Sequence, residues 1–390
     1  MNYILFDGNT RNSLLPFTYT RPVADIRIGI LTIREKWERY LNSTTTTITE
    51  DYLSEKWPMV EMEENVLINA SVCPHESLVE QIQTLDFNQV LVFEEEYIAF
   101  KAEEDIEVNL EDFEQIELKE APLKINHTWD IFSKNHEAIQ QDFELLTKDR
   151  TSQPIPDFVH CVHKENIFVE EGAKINFCTL NASEGPIYIG KDAEVMEMAA
   201  IRGPFALCES SSIKMGAKIY TGTTIGPHSK VGGEVNNSVI FGYSNKGHDG
   251  FLGNSVLGEW CNIGADSNNS NLKNNYAEVR LWDYQTERFA PTGLQFCGLM
   301  MGDHSKCGIN TMFNTGTVVG VSANIFGAGF PRNFIPSFSW GGSSGTTTYQ
   351  TRKAFEVAEK VMQRRKVDFT EEEKAILEHV FEITDKYRRT

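Results

Sequence analysis

One histidine in the sequence has neighbours that suit acid–base chemistry. His248 lies between Gly247 and Asp249 and two residues after Lys246. Imidazole titrates near neutral pH, so it can accept a proton from an attacking nucleophile. An amine that attacks an acyl thioester must lose a proton as it bonds to the carbonyl carbon. His248 is therefore a candidate general base, and the competing interpretation is a loop histidine that only forms hydrogen bonds.

A six-residue repeat is the element that must position this histidine. A period of six fits neither an α-helix nor an alternating strand. It is typical of a parallel β-helix, in which three short strands form one coil and each strand sends an aliphatic side chain inward. The chain is therefore predicted to form a β solenoid at its centre. The repeated positions are Ile189, Val195, Ile201, Leu207, Ile213, Ile219, Ile225 and Val231.

The repeat stops after Val231 and resumes twice. Residues 251–263 and 301–325 again carry apolar residues six apart. We predict that the intervening residues, 232–250 and 269–300, are loops outside the solenoid. Long loops on a rigid scaffold often carry functional residues.

Composition limits the class of protein. The 390 residues are enough for two or three domains, and 56 acidic against 36 basic residues give a net charge of -20. This charge argues against binding to nucleic acid or to an anionic membrane. The seven cysteines lack CxxC spacing, which predicts reduced thiols in a cytoplasmic protein. No signal peptide and no membrane span are predicted.

The N-terminal part has the pattern of an α/β domain, which we place at residues 1–127. Strands are predicted at 3–6, 66–70 and 89–93, and a helix at 30–40. The acidic residues 94–120 are predicted to form a solvated edge. The first strand ends in a turn that contains Gly8 and Arg11, a combination that can hold a phosphate group.

The remaining chain divides into three parts. Residues 128–157 are predicted to be a helical connection, and residues 158–340 the solenoid. Residues 341–390 are expected to be a Gly-rich linker followed by two helices, the second with a capping box at Thr370 and Glu373. The helices are expected to pack on the solenoid or on a partner subunit.

The N-terminal turn resembles the opening of sugar-1-phosphate nucleotidyltransferases. The similarity lies in residues 5–11, 15–18 and 21–22, whereas Asp7 and Asn9 replace small residues of the family loop. The resemblance implies a Rossmann-like domain that binds UTP or another nucleotide, with Mg²⁺ between the phosphates. It does not identify the Mg²⁺ ligand. The implied nucleotide contacts are Gly8, Thr10, Arg11 and Arg21.

Residues 244–265 resemble the acetyltransferase half of the bifunctional enzyme that acetylates glucosamine-1-phosphate and then couples the product to UTP. The shared pattern joins Gly247-His248, a Leu-Gly pair at 252–253 and Asn-Ile-Gly-Ala at 262–265. The resemblance implies a left-handed β-helix, a homotrimer and acetyl-CoA as co-substrate. It assigns the base to His248 and an acetyl-CoA contact to Ala265. The implied substrate contacts are Lys230, Asn262 and Asn271, to which we add Arg280 from the long loop.

These observations predict an α/β nucleotidyltransferase-like domain, a left-handed β-helix of hexapeptide repeats and a C-terminal helical pair. The predicted function is N-acetylation of an amino-sugar phosphate, coupled to nucleotidyl transfer that yields UDP-N-acetylglucosamine. The alternative is a sugar nucleotidyltransferase whose β-helix is only an oligomerisation or regulatory scaffold.

Overall fold

The computed structural model describes residues 1–103 and 108–388. Its first part is a six-stranded sheet in the order β2-β1-β3-β5-β4-β6. Strands β1, β2 and β3 are parallel, and β5 runs antiparallel to β3 and β4. The strands are β1 Asn2–Phe6, β2 Thr45–Ile48, β3 Asn65–Asn69, β4 Gln89–Phe93, β5 Glu96–Ala102 and β6 Glu114–Glu117.

Four helices accompany this sheet: α1 Ile33–Leu41, α2 Glu76–Gln83, α3 Asp130–Ser133 and α4 Asn135–Thr147. Helix α1 begins three residues later than predicted because Thr32 and Glu35 form a capping box at its start. The three predicted strands correspond to β1, β3 and β4.

The acidic segment is only partly an edge. Strand β5 lies inside the sheet with Ile98 and Ala99 buried, which corrects the prediction of a solvated edge for residues 94–120. Ile98, Ala99 and Phe100 are buried in succession, whereas Glu94 and Glu95 before the strand are exposed. Strand β6 is the edge strand and is mostly exposed. Glu104 and Asp105 of this segment lie outside the described residues.

The second part is a parallel β-helix with three faces, and its first face is termed face A. Face A has six parallel strands whose outward side chains are mostly exposed. A two-stranded sheet continues the stack, with Asn268–Asn269 (β25) paired to Met312–Phe313 (β30). The strands of face A are β7 His160–Val162, β10 Thr179–Asn181, β13 Ala200–Arg202, β16 Lys218–Ile219, β19 Glu234–Asn236 and β22 Phe251–Gly253.

Face B is the nine-stranded sheet of the β-helix. Its strands are β8 Ile167–Val169, β11 Ile187–Ile189, β14 Phe205–Leu207, β17 Thr223–Ile225, β20 Val239–Ile240, β23 Val256–Leu257, β28 Leu299–Met301, β31 Thr317–Val319 and β33 Phe334–Ile335.

Face C is the ten-stranded sheet. Its strands are β9 Lys174–Ile175, β12 Glu194–Val195, β15 Ser212–Ile213, β18 Lys230–Val231, β21 Asn245–Lys246, β24 Asn262–Ile263, β29 Lys306–Cys307, β32 Asn324–Ile325, β34 Ser339–Gly342 and β35 Gly345–Thr348. The predicted fold class, with its α/β domain, left-handed β-helix and C-terminal helices, is confirmed.

Residues 232–250 belong to the β-helix, so the prediction of a loop there is wrong. Strands β19, β20 and β21 lie in this segment. Val235 and Ile240 occupy the inward positions after Val231, at spacings of four and five residues instead of six. The next inward position, in register with Val231, is held by Lys246. Two shortened corners and one polar core residue therefore conceal the repeat.

Residues 270–298 do leave the β-helix, as predicted. They contain an antiparallel hairpin of Arg280–Asp283 (β26) and Arg288–Pro291 (β27). The hairpin contacts β31 of face B, and Leu281 and Tyr284 are buried there. The predicted linker at 341–345 is wrong, because β34 and β35 form a hairpin that extends face C. The C-terminal helices are α5 Thr351–Gln363, α6 Glu371–Ile383 and α7 Asp385–Arg388.

Faces B and C are covered by other parts of the chain. The N-terminal domain packs on face B, where the rings of Phe17 and Phe241 lie 5.3 Å apart. Helix α5 packs on face C through Ala354 and Ala358, which line a small cavity with Lys306. Face A is left exposed. Within the described ranges, no helix is both long and apolar enough to cross a bilayer.

Candidate functional site

His248 lies at the corner that joins face C to face A, between β21 and β22. This corner is termed the A–C corner. The imidazole is exposed, and among residues 1–103 and 108–388 no hydrogen bond to it is found. Its ring nitrogens are therefore accessible from solvent on this face of the β-helix.

The backbone at His248 is fixed from inside the β-helix by Lys246. The Lys246 side chain is 1% exposed, and its Nζ donates to the carbonyl oxygens of Gly232 and His248, at 2.8 Å each. Burial lowers the pKa of Lys246 to about 8, although Asp249 and Asp266 oppose this shift. The lysine thus clamps two successive coils together at the A–C corner.

A titration tests this arrangement of Lys246. Between pH 8 and the ordinary lysine value of 10.5, the unfolded chain keeps a proton that the folded chain has lost. Stability rises with pH where the unfolded state binds more protons, by at most about 1.4 kcal/mol per pH unit for one group. The free energy of unfolding of the wild type is therefore expected to rise relative to Lys246→Met as the pH increases from 8 to 10. Urea unfolding at several pH values measures this difference, and a constant difference would contradict it.

Close stacking of coils further restrains the corner. A Cβ atom on Gly232 would lie 2.8 Å from the carbonyl oxygen of Gly247, which is too close for any side chain. Asp266 N–H donates to the carbonyl oxygen of Asp249 at 3.0 Å from the following coil. The His248 corner is therefore held from the coils on both sides.

One of the two predicted asparagines lies next to this corner. Asn262 lies on face C, and its Oδ1 accepts a hydrogen bond from Asn245 Nδ2 at 3.0 Å. Asn271 lies beyond β25, at the opposite edge of face A between face A and face B, where its Nδ2 donates to Asn254 Oδ1 at 2.8 Å. Within one chain, the structure does not bring Asn271 to the His248 corner. Ala265 is half-buried at the same corner in the coil after His248. The structure thus brings Asn262, Ala265 and His248 to adjacent coils.

Lys230 lies on face C one coil before Asn245, with which it is in register. Burial lowers the pKa of Lys230, and the charges of Arg365, Lys214 and Arg364 lower it further. The lysine is therefore part of a group of four cations, Lys214, Lys230, Arg364 and Arg365, termed the basic cluster. Sequence reasoning missed the two arginines, and its only available signal was the basic run 364–366 after a predicted helix.

Arg280 lies elsewhere on the β-helix. Its side chain is exposed on β26, in the hairpin that packs on face B. The hairpin leaves the β-helix between face A and face B, whereas His248 lies between face C and face A. Within one chain, the structure does not bring Arg280 to the His248 corner.

The N-terminal loop uses its arginine internally. Gly8 is exposed with φ 57°, and it precedes a 3₁₀ turn in which Thr10 is buried. Arg11 is also buried, donating to the Asp7 carboxylate at 2.7 Å and to the carbonyl oxygen of Thr18. The guanidinium group therefore holds the loop together, and Gly8 is the predicted nucleotide contact that faces solvent.

Arg21 joins the N-terminal domain to the β-helix. It is 6% exposed, forms an ion pair with Asp303 and lies 3.4 Å from the Glu259 carboxylate. Its guanidinium carbon is 5.3 Å from the centre of the Phe241 ring. The pair with Asp303 spans two domains that are far apart in the sequence, so the sequence alone could not indicate it.

The oxygen donors at the N-terminal loop do not fit a Mg²⁺ site. The Asp7 carboxylate accepts hydrogen bonds from Val23 N–H at 2.7 Å, Thr49 Oγ1 at 2.6 Å and Arg11. Mg²⁺ favours octahedral oxygen ligands with free lone pairs. In the part of the chain that the structure describes, no group of three or more His, Cys, Asp or Glu side chains could hold a metal ion.

Comparison with known proteins supports a sugar-nucleotide context. Residues 3–151, less than half of the chain, match the family model described as sugar nucleotidyl transferase. No curated protein matches the chain.

Similar solved structures include two UDP-N-acetylglucosamine acyltransferases. The Arabidopsis enzyme is 16% identical over 55% of this chain and 80% of its own, with a TM-score of 0.24. The Francisella novicida enzyme is 13% identical over 59% of this chain and 88% of its own, with a TM-score of 0.28. At these TM-scores, neither enzyme indicates the function of this chain. The family match confirms the predicted nucleotidyltransferase resemblance of the N-terminal domain and indicates a transferase.

Proposed function

We propose that the β-helix catalyses acetyl-CoA-dependent N-acetylation of an amino-sugar phosphate such as glucosamine-1-phosphate. The observation that carries the proposal is the accessible imidazole of His248 on a corner whose backbone is clamped by Lys246. A general base must be both accessible to substrate and fixed in position. The presence of Asn262 and Ala265 in the next coil supports the same assignment.

In the proposed reaction, His248 accepts a proton from the substrate amine as the nitrogen bonds to the thioester carbonyl carbon. The tetrahedral intermediate then breaks its carbon–sulfur bond, and the leaving CoA thiolate takes up the proton. Asn262 orients the sugar and Lys230 holds its phosphate. The N–H of Gly264 already donates to the carbonyl oxygen of Cys307. The N–H of Ala265, which has no backbone acceptor among the described residues, is the candidate donor to the oxyanion.

We also propose that the protein is a homotrimer through the A–C corner. Four apolar side chains there, in coils before and after His248, are between 60% and 76% exposed. Exposed apolar patches of this kind commonly mark interfaces in soluble proteins. A second copy on this surface would bring its own β-helix next to His248 and enclose the acetyl-CoA arm. These side chains, termed the apolar seam, are Phe177, Met198, Met215 and Ile309.

The oligomeric state tests the role of the apolar seam. The double substitution Met198→Asp, Met215→Asp is expected to convert a trimer into a monomer of 44.2 kDa, because buried carboxylates disfavour association. Light scattering coupled to size exclusion measures the mass. Met62→Asp, at an exposed position in the N-terminal domain, is the control and should leave the trimer intact. A wild-type monomer, or a trimer that survives the double substitution, would contradict this proposal.

Binding of acetyl-CoA separates an acyltransferase from a scaffold. Isothermal titration calorimetry of the purified chain should show saturable binding of acetyl-CoA, with one site for each chain. A β-helix that serves only oligomerisation or regulation should show none. Absence of binding would therefore overturn the acyltransferase proposal and favour the scaffold alternative.

A second activity, sugar-1-phosphate nucleotidyl transfer, is proposed for the N-terminal domain. The match of residues 3–151 to the sugar nucleotidyl transferase family supports it. Incubation with UTP, N-acetylglucosamine-1-phosphate and Mg²⁺ should release pyrophosphate and form UDP-N-acetylglucosamine. If none of the four common nucleoside triphosphates releases pyrophosphate, the nucleotidyl transfer proposal is wrong, and the acetyltransferase proposal is unaffected.

A further inference from the structure

We infer that the end of helix α5 completes the phosphate site of the sugar substrate, so that Arg364 and Arg365 bind the phosphate together with Lys214 and Lys230. This inference rests on the proposed acetyltransferase function and deepens it. It assigns a substrate contact to the C-terminal helices, whereas the motifs identified in the sequence lie in the N-terminal domain and the β-helix.

The two lysines lie on the outer side of face C in neighbouring coils. Lys230 is in register with Ser212, and the Lys214 N–H donates to the carbonyl oxygen of Val231 at 2.7 Å. Both lysines are half-buried. Their side chains alternate with the inward residues Ile213 and Val231, so both ammonium groups are on the same surface.

Gly232, two residues after Lys230, connects this surface to the His248 corner. A Cβ atom on Gly232 would lie 3.2 Å from the Lys214 Cβ and 2.8 Å from the carbonyl oxygen of Gly247. Lys214, Gly232 and Gly247 therefore stack in one column, and the last of these precedes His248. Two coil spacings are about 10 Å. A lysine side chain and a sugar phosphate together can span that distance, and no side chain of the column obstructs it.

Helix α5 delivers the two arginines to the same surface. Ala358 and Met362 are buried on its inner side, which lets the helix lie close to face C. The helix ends after Gln363, where Arg365 N–H donates to the carbonyl oxygen of Met362 at 2.8 Å. Arg365 is half-buried, and burial and the charge of Arg364 lower its pKa while Tyr243 opposes this shift. Arg365 is thus held at the end of the packed helix, and Arg364 beside it is exposed.

The charges of the basic cluster lack partners of opposite sign. Among the ion pairs of the described residues, none involves Lys214, Lys230, Arg364 or Arg365. Glu194 is the carboxylate that acts on Lys230, and its effect is smaller than those of the three cations. The four cations repel one another, as the lowered pKa of Lys230 reflects, and an anion bound between them would relieve this repulsion.

An aromatic stack lies beside the cluster, at the corner between face B and face C. The rings of His228 and Tyr243 stack at 4.7 Å, and those of Tyr243 and Trp260 at 4.2 Å. Met362, near the end of α5, and Tyr243 belong to one apolar cluster, and Tyr243 lies two residues before Asn245, which is in register with Lys230. This packing places the end of α5 next to the coil of Lys230.

The substitution Arg365→Gln tests the inference by calorimetry with glucosamine-1-phosphate. Affinity should fall about 10- to 100-fold, as expected for loss of a hydrogen bond to a charged group. Arg365→Lys should keep part of the affinity because it keeps the charge. Arg352→Gln, at an exposed position in the first turn of the same helix, is the matched control and should bind as the wild type does.

The outcomes separate this inference from the proposed function. An unchanged affinity of Arg365→Gln, with normal binding by the wild type, would overturn the inference alone. Weaker binding of acetyl-CoA with unchanged binding of glucosamine-1-phosphate would also overturn it, because the cluster would then hold the CoA phosphates. Binding of neither compound by the wild type would overturn the inference together with the proposed function.

Discussion

Replacement of His248 by alanine is expected to lower the turnover number for acetylation of glucosamine-1-phosphate about 10²- to 10⁴-fold, the usual contribution of a general base. The thermal unfolding temperature should change little, because the imidazole is exposed and forms no hydrogen bond in the described part of the chain. The turnover number is measured by release of the CoA thiol at saturating concentrations of both substrates.

The matched control for this substitution is His160→Ala. His160 is an exposed histidine on face A, in the first coil of the same β-helix. Its removal should leave turnover unchanged, which separates loss of the base from a general effect of altering the solenoid surface. A His248→Ala protein that retains more than about a tenth of wild-type turnover would exclude His248 as the base.

The largest effect on stability is expected for Asp303→Ala. Arg21 and Asp303 are both buried and form an ion pair between the N-terminal domain and the β-helix. Removal of one partner leaves an uncompensated buried charge, which typically costs about 3–5 kcal/mol. The free energy of unfolding in urea should fall by this amount, and the neighbouring Glu259 can compensate only in part because it lies 3.4 Å from Arg21 and is more exposed.

An exposed ion pair of the same type is the control for Asp303→Ala. Arg202 and Glu184 are 3.0 Å apart and both about half exposed on the β-helix. Because exposed pairs contribute little to stability, Glu184→Ala should leave the unfolding free energy nearly unchanged. If Asp303→Ala and Glu184→Ala had equal effects, the assigned role of the Arg21–Asp303 pair at the domain junction would be wrong.

The β-helix could be predicted from the sequence because its inward residues obey a strict period. Eight consecutive aliphatic residues, from Ile189 to Val231, lie at that period. The prediction failed at residues 232–250, where corners of four and five residues and the buried Lys246 interrupt the period. A lysine can occupy the core there because two backbone carbonyl groups accept its hydrogen bonds.

The roles of the arginines could not be predicted because their partners are distant in the sequence. Arg21 binds Asp303, which is 282 residues away, and this pairing depends on how two domains dock. Arg11 resembles a nucleotide contact in its sequence context but binds Asp7 within its own loop. In both cases a local motif identified a basic residue, and only the tertiary structure showed which carboxylate pairs with it.

The site at the A–C corner was predicted only in part. Sequence motifs identified His248 and Asn262, but His248 was predicted in a loop outside the solenoid, and the interrupted period concealed that it lies in the coil before Asn262. The arginines after α5 have no relation to the repeat, and the packing of α5 on face C could be found only in the structure.

The central claim is that this β-helix transfers an acetyl group to an amino-sugar phosphate. The most direct test is incubation of the purified wild-type chain with acetyl-CoA and glucosamine-1-phosphate, with free thiol and N-acetylated product quantified together. We expect both to appear in equal amounts and at a rate proportional to protein concentration. A folded, trimeric preparation that releases no thiol and forms no N-acetylated sugar phosphate would contradict it.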